Sequence, residues 1–168
     1  MHKYSYIFLL MSSITHADGV LLSGGQSTSK DKSSVIQFGY IIEPGKSSPL
    51  LILNAFTWEL EFSASEWENL YGPDIKTGSI TPFLKYVNTT NTINWFIRVG
   101  VGVAYVEQTQ WGNRSLGDNW LFSDKLEIGT EINQHNRIGL SLTHYSNARL
   151  NKNNDGTNIV SLNYSVHW

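Results

Sequence analysis

Asn94-Trp95-Phe96-Ile97-Arg98-Val99-Gly100-Val101-Gly102-Val103-Ala104-Tyr105-Val106 is the stretch whose periodicity decides the architecture. Trp95, Ile97, Val99, Val101, Val103 and Tyr105 take alternate positions, and Asn94, Phe96, Arg98, Gly100, Gly102 and Ala104 fill the places between them. A period of two belongs to a β-strand, because successive side chains leave opposite faces of the pleat. One face is wholly apolar, the other carries an arginine and two glycines, and the run is long enough to cross a bilayer at a tilt.

The same alternation recurs along the chain. Val160, Leu162, Tyr164, Val166 and Trp168 oppose Ser161, Asn163, Ser165 and His167; Trp58, Leu60 and Phe62 oppose Thr57, Glu59, Glu61 and Ser63; Leu126, Ile128 and Ile132 oppose Lys125, Glu127, Gly129 and Glu131. Val35 to Ile42 sets Ile36, Phe38, Tyr40 and Ile42 on one face, Ser79 to Val87 is blurred by Pro82, and the first strand falls near Gly19 to Gly25. The polar faces collect Glu59, Glu61, Lys85, Arg98, Lys125, Glu127 and Glu131, which a soluble sandwich would not turn into its core. A small closed barrel can hold them in its lumen, paired with one another, while the apolar face meets lipid and closure removes unpaired edges.

Composition agrees. The 168 residues include no Cys, 15% charged residues and 12% aromatics, with 6 Trp, 8 Tyr and 7 Phe. Soluble domains average about 25% charged residues, so part of this surface faces something other than water. After the N-terminus no apolar run reaches the length of a transmembrane helix, and a net charge of -2 speaks against nucleic acid. His2 and Lys3, the apolar run Tyr4 to Met11 and the small residues up to Ala17 read as a signal peptide over 1–17, leaving 18–168 as one barrel domain. The connections Glu43 to Pro49, Asn88 to Thr92 and Asn133 to Asn136 are short, whereas Ser63 to Gly78, Glu107 to Leu121 and Asn147 to Thr157 are long and polar. The expectation is an all-β, eight-stranded antiparallel transmembrane β-barrel of the bacterial outer membrane, its long loops facing outside.

Chemistry concentrates in the last two strands. In Arg137 to Ser146, the lipid-face series Ile138, Leu140, Leu142 continues to His144 and Ser146, and on the closing strand Val160, Leu162, Tyr164 extends back to Asn158. An imidazole, a hydroxyl and an amide on a greasy surface, at one height, are out of pattern. His144 can deprotonate Ser146, Asn158 can accept the other imidazole N–H and fix the tautomer, and the loop Asn147 to Gly156 can supply oxyanion donors. The bland reading is a polar girdle at the headgroup level with no chemistry. His135 lies in a turn and His167 faces the lumen. The five scattered His give no metal-ligand spacing, and Gly100-Val101-Gly102 lacks the context of a phosphate loop.

His144-Tyr145-Ser146-Asn147-Ala148, followed by Asn154-Asp155-Gly156 and the closing strand, resembles the outer-membrane lipid A 3-O-deacylase family (PagL) over about thirty residues. The family is similar in architecture and carries a Ser-His-Glu triad on the barrel exterior. The resemblance implies Ser146 as nucleophile, His144 as base, Asn154 as the oxyanion-hole residue, and ester hydrolysis at position 3 of lipid A with no metal or other cofactor. One position departs: Asn158 stands where the family has Glu, and Asp155 is a second candidate acceptor for the imidazole. Outer-membrane phospholipase A, a larger barrel, also joins a His-x-Ser pair to an Asn. The sequence thus leads to a monomeric deacylase acting on lipid A, the lipopolysaccharide anchor, in the outer leaflet. A phospholipase using the same three residues and a non-catalytic surface barrel are the alternatives.

Overall fold

The computed structural model describes residues 18–28, 32–43, 56–89, 93–151 and 154–168. The proposed signal peptide lies outside the described residues, as does nearly all of the connection expected at Glu43 to Pro49. Among the described residues ten strands follow one another: β1 (Gly19–Ser27), β2 (Ser34–Ile42), β3 (Phe56–Trp67), β4 (Ile75–Thr89), β5 (Asn94–Val106), β6 (Gln110–Trp111), β7 (Arg114–Ser115), β8 (Trp120–Glu131), β9 (Asn136–Ser146) and β10 (Thr157–His167). Eight of them close an antiparallel barrel in the order β1-β10-β9-β8-β5-β4-β3-β2, and β6 pairs with β7 in a small separate hairpin. The chain is an eight-stranded transmembrane barrel of the outer-membrane type.

Period-two patterning explains the wall. Along β5 every second residue from Phe96 to Val106 is buried, except that Ile97 among the outward set is only partly covered. Leu22, Ile36, Phe38, Val99, Val101, Leu140, Val160 and Leu162 stand exposed on the outer surface, as lipid requires. Gly102 lets β5 lie close against β4, since a Cβ there would collide with the Ile80 carbonyl oxygen and Thr81 Oγ1.

The lumen is filled by charge. Arg98 donates from Nη1 to Glu59 at 3.0 Å and from Nη2 to Glu61 at 2.8 Å and Glu127 at 2.7 Å. Lys125 reaches Glu61 at 3.0 Å, Lys85 bridges Glu43 and Glu59, and Arg137 joins Glu43, Glu59 and Glu131. The Arg98 guanidinium also lies 4.3 Å over the Phe83 ring. Desolvating these ions is expensive, and the penalty is offset because each is paired and Arg98, Arg137, Lys85, Glu43, Glu59 and Glu61 each meet two or more ions of opposite charge. Toward the end of the barrel that carries the β6–β7 hairpin, the filling turns apolar: Val35, Trp67, Ile75, Val106, Trp111, Leu116, Leu121, Tyr145 and Ile159 belong to one cluster, in which the Trp67 ring meets Trp111 and Tyr145 in tilted contacts with centroids 4.7 Å and 4.8 Å apart.

Two expected loop boundaries need correction. The connection expected from Ser63 to Gly78 is mostly strand, since β3 runs on to Trp67 and β4 starts at Ile75. Ser63 and Ser79 share a hydroxyl hydrogen bond of 2.7 Å, and the Ser65 hydroxyl pairs with that of Thr77. These small polar residues extend the ladder above the greasy zone, where alternation in hydropathy no longer marks it. The segment expected as loop from Glu107 to Leu121 holds the β6–β7 hairpin and the first residues of β8.

Candidate active site

β9 and β10 pair so that His144 lies directly opposite Asn158, with Leu142 opposite Val160 and Leu140 opposite Leu162 below them. The lipid-face series of both strands therefore ends in polar residues at a single level. His144 Nδ1 is 2.7 Å from Asn158 Oδ1. An amide oxygen only accepts, so Nδ1 carries the proton and Nε2 is left as a lone-pair base. Ser146, two residues further along the same face, is half-buried. Its hydroxyl makes no hydrogen bond to another described residue, and serine–imidazole contacts of this kind commonly tighten only with substrate present.

Just after Ser146 the chain turns sharply. Leu150 N donates to the Asn147 carbonyl at 2.9 Å, and the two central residues, Ala148 and Arg149, have φ of 51° and 63°. This mirror-image turn normally takes glycine or asparagine, so two ordinary residues there hold strain close behind Ser146. The buried Asn147 side chain braces the turn, accepting from Arg149 N at 2.9 Å and donating to the Leu116 carbonyl at 3.1 Å. Asn147 N in turn donates to Asn154 Oδ1 at 3.2 Å. With its oxygen committed, Asn154 has its Nδ2 hydrogens to offer.

Gly156 closes over the pair. Its φ is +56°, and a Cβ there would stand 3.3 Å from His144 Cε1 and 3.7 Å from Ser146 Cβ. Only glycine supplies both the left-handed backbone and this close approach at low cost. The β6–β7 hairpin fixes the segment: Arg114 Nη1 donates to the Gly156 carbonyl at 2.8 Å, Ser115 N to Asp155 Oδ2 at 2.8 Å, and Asp155 N to the Ser115 carbonyl at 3.0 Å. Asp155 therefore clamps the hairpin and does not serve the imidazole, which corrects its reading as an alternative acceptor. His135 lies in the β8–β9 turn, and His167 is buried in the lumen 2.9 Å from the Ser165 hydroxyl, both away from this cluster.

The sequence reading passed over one residue. Asp124 continues the lipid-face series Ile128, Leu126 upward on β8, is exposed, and pairs directly across from His144 on the side opposite Asn158. The parity argument that singled out His144 would have found it, had the β8 series been followed one step past Leu126.

A closed barrel whose outer wall ends in a serine, a histidine and an amide beneath a stapled loop is the form of an outer-membrane barrel enzyme. Residues 36–167 match the family model described as Lipid A 3-O-deacylase (PagL), and the chain belongs to that family. It is 34% identical over 88 residues to the Lipid A deacylase PagL of Pseudomonas aeruginosa, a segment covering 52% of this chain and 51% of that one. With the Lipid A deacylase PagL of Bordetella bronchiseptica it shares 32% identity over 74 residues, 44% and 42% of the two chains. The chain thus aligns with about half the length, or less, of these curated relatives. The fold superimposes on a crystal structure of the outer membrane enzyme PagL with a TM-score of 0.77 at 24% identity, covering 88% of this chain and 98% of that one. Neisserial surface protein A gives a TM-score of 0.56 at 10% identity, covering 91% and 97%. At these identities both likenesses show the fold alone.

Proposed function

We propose that the chain is a lipid A 3-O-deacylase, with Ser146 as nucleophile, His144 as general base, Asn158 as the residue that orients the imidazole, and Asn154 as an oxyanion donor. The observation that carries the reading is the 2.7 Å contact between His144 Nδ1 and Asn158 Oδ1 on the lipid-facing wall, two residues from a serine on the same face. Ser146 Oγ attacks the carbonyl carbon of the ester joining the hydroxyacyl chain to position 3 of the sugar, and its proton passes to His144 Nε2. The tetrahedral oxyanion is held by Asn154 Nδ2 and neighbouring backbone N–H groups. Collapse breaks the ester C–O bond, and His144 returns the proton to the leaving sugar hydroxyl. Water, deprotonated by the same imidazole, then releases the fatty acid and regenerates Ser146.

Placement supports the substrate class. The site opens sideways from a wall of Leu140, Leu142, Val160 and Leu162, so a lipid whose chains lie in the membrane reaches it without leaving the bilayer. Export by the N-terminal signal, a monomeric barrel and a site facing the outer leaflet complete the proposal. Mass spectrometry of lipid A from cells producing wild type or Ser146→Ala tests it: wild type removes one hydroxyacyl chain and the variant removes none. Lipid A trimmed equally by both would sink the assignment of the nucleophile.

The Asn at the third position favours one rival, a phospholipase acting through the same three residues. Calcium-dependent release of fatty acid from glycerophospholipid by the purified barrel, with lipid A left intact, would select it.

A further inference from the structure

We infer that Asp124 is a positioning residue of the hydrolytic site, supplying from β8 the negative charge that Asn158 does not supply from β10. The inference rests on the reading of Ser146 and His144 as nucleophile and base. Its foundation is register. His144 is the centre of a row across three strands, with Asn158 paired to it on one side and Asp124 on the other. All three are on the outward face. Directly paired residues on adjacent strands keep their Cβ atoms about 5 Å apart, so Asp124 and His144 are side-chain neighbours across the β8–β9 register.

The surroundings of Asp124 give it no other task. Its neighbour on β5 is Val101, and along β8 the same face presents Phe122 and Leu126. No ion pair or hydrogen bond joins it to another described residue, in contrast with every charged residue of the luminal network. An ionisable group on a lipid-facing wall is costly, and its retention points to a partner on that wall. Of the groups beside His144, Asn158 is neutral, Asp155 is committed to Ser115 N, and Arg114 donates to the Gly156 carbonyl. Asp124 is therefore the anion placed to attract the imidazolium that forms when His144 takes the serine proton.

The division of labour follows from geometry. Asn158 holds the Nδ1 proton, which leaves Asp124 without that hydrogen bond and acting through space. In a triad with a carboxylate at the third position, a single group both orients and charges the site; here the two tasks are split between the strands flanking β9. At an effective dielectric of roughly 20 to 40, as suits a partly hydrated membrane surface, a charge about 6 Å away is worth about ten- to a hundred-fold in rate.

Purified wild type, Asp124→Asn, Asp124→Glu, Asn158→Glu and the Asp124→Asn/Asn158→Glu double variant, with Ser146→Ala as the inactive reference, test this on lipid A in detergent micelles. Each barrel is first checked for heat-modifiable migration. Asp124→Asn is expected to lower kcat by about ten- to a hundred-fold with KM unchanged, and Asp124→Glu to recover most of the loss. With Glu at position 158, the same Asp124→Asn change is expected to cost less than about three-fold, because the charge then comes from the other side. A merely structural Asp124 would cost the same in both backgrounds. Full kcat in Asp124→Asn, or a cost that is additive with Asn158→Glu, overturns the inference. Activity persisting in Ser146→Ala would overturn instead the reading on which it rests.

Discussion

Polar groups serve opposite purposes on the two sides of this barrel wall. Inside, Arg98 meets three carboxylates and every lysine and arginine of the network is bonded to glutamate. Outside, at the other end of the same strands and among the described residues, His144 has one amide partner, the Ser146 hydroxyl has none, and Asp124 stands without an ion pair. The luminal ions are saturated by one another, so they contribute rigidity and offer nothing to a ligand. The exterior is left with bonding capacity to spare, which is what a reacting ester requires. A substitution inside should therefore register in stability, and one outside in rate.

The largest expected departure tests the interior half of that contrast. Arg98→Met keeps the bulk over Phe83 but strips Glu59, Glu61 and Glu127 of a shared cation. Removing one partner of a buried network leaves uncompensated charge and costs about 3–5 kcal/mol. Urea titration of the refolded barrel in lipid vesicles should show that loss, while the fraction that remains folded turns over lipid A at the wild-type rate. A fall in kcat as large as the fall in stability would mean that the lumen and the outer site are not separable.

Asn158→Ala addresses the exterior half. It deletes the acceptor for His144 Nδ1 and frees the ring to rotate away from Ser146, at a position open to lipid and membrane-surface water. We expect kcat to fall by about ten- to a hundred-fold, with KM held and the unfolding midpoint nearly unmoved. Equal loss of stability and rate would place Asn158 with the structural polar groups. The comparison would then turn on burial alone.

How far the sequence carried this picture depends on where each signal is written. Strand β5 declares itself because its apolar series never breaks, and His144 and Ser146 stand out because they interrupt such a series. Above the greasy belt the signal disappears. Ser63, Ala64, Ser65 and Glu66 belong to a strand whose outward residues no longer need to be apolar, so they read as loop. The β6–β7 hairpin is too short to show any period. Its anchorage through Asp155 and Arg114 joins residues some forty positions apart, which local patterning cannot register. Asp124 was readable by parity on its own strand, but its meaning depends on a register between β8 and β9 that only the closed barrel fixes.

Gly156 gives the smallest effect and the sharpest separation of the two halves, because one substitution there touches both. Alanine must accept φ of +56°, at about 1 kcal/mol, and its methyl must share space with the Tyr145 carbonyl at 3.2 Å and His144 Cε1 at 3.3 Å. The carbonyl belongs to the β9 backbone and cannot move far; the ring can, by turning away from Ser146. A modest thermal destabilisation with a several-fold drop in kcat is therefore expected for Gly156→Ala. Gly24→Ala is the matching reference on the outer wall, since a Cβ there meets nothing within 4 Å and should change neither quantity. If Gly156→Ala loses stability but keeps its rate, the loop yields and the imidazole stays, and the site is then held by the register of β9 and β10 with no help from the hairpin stapled above it.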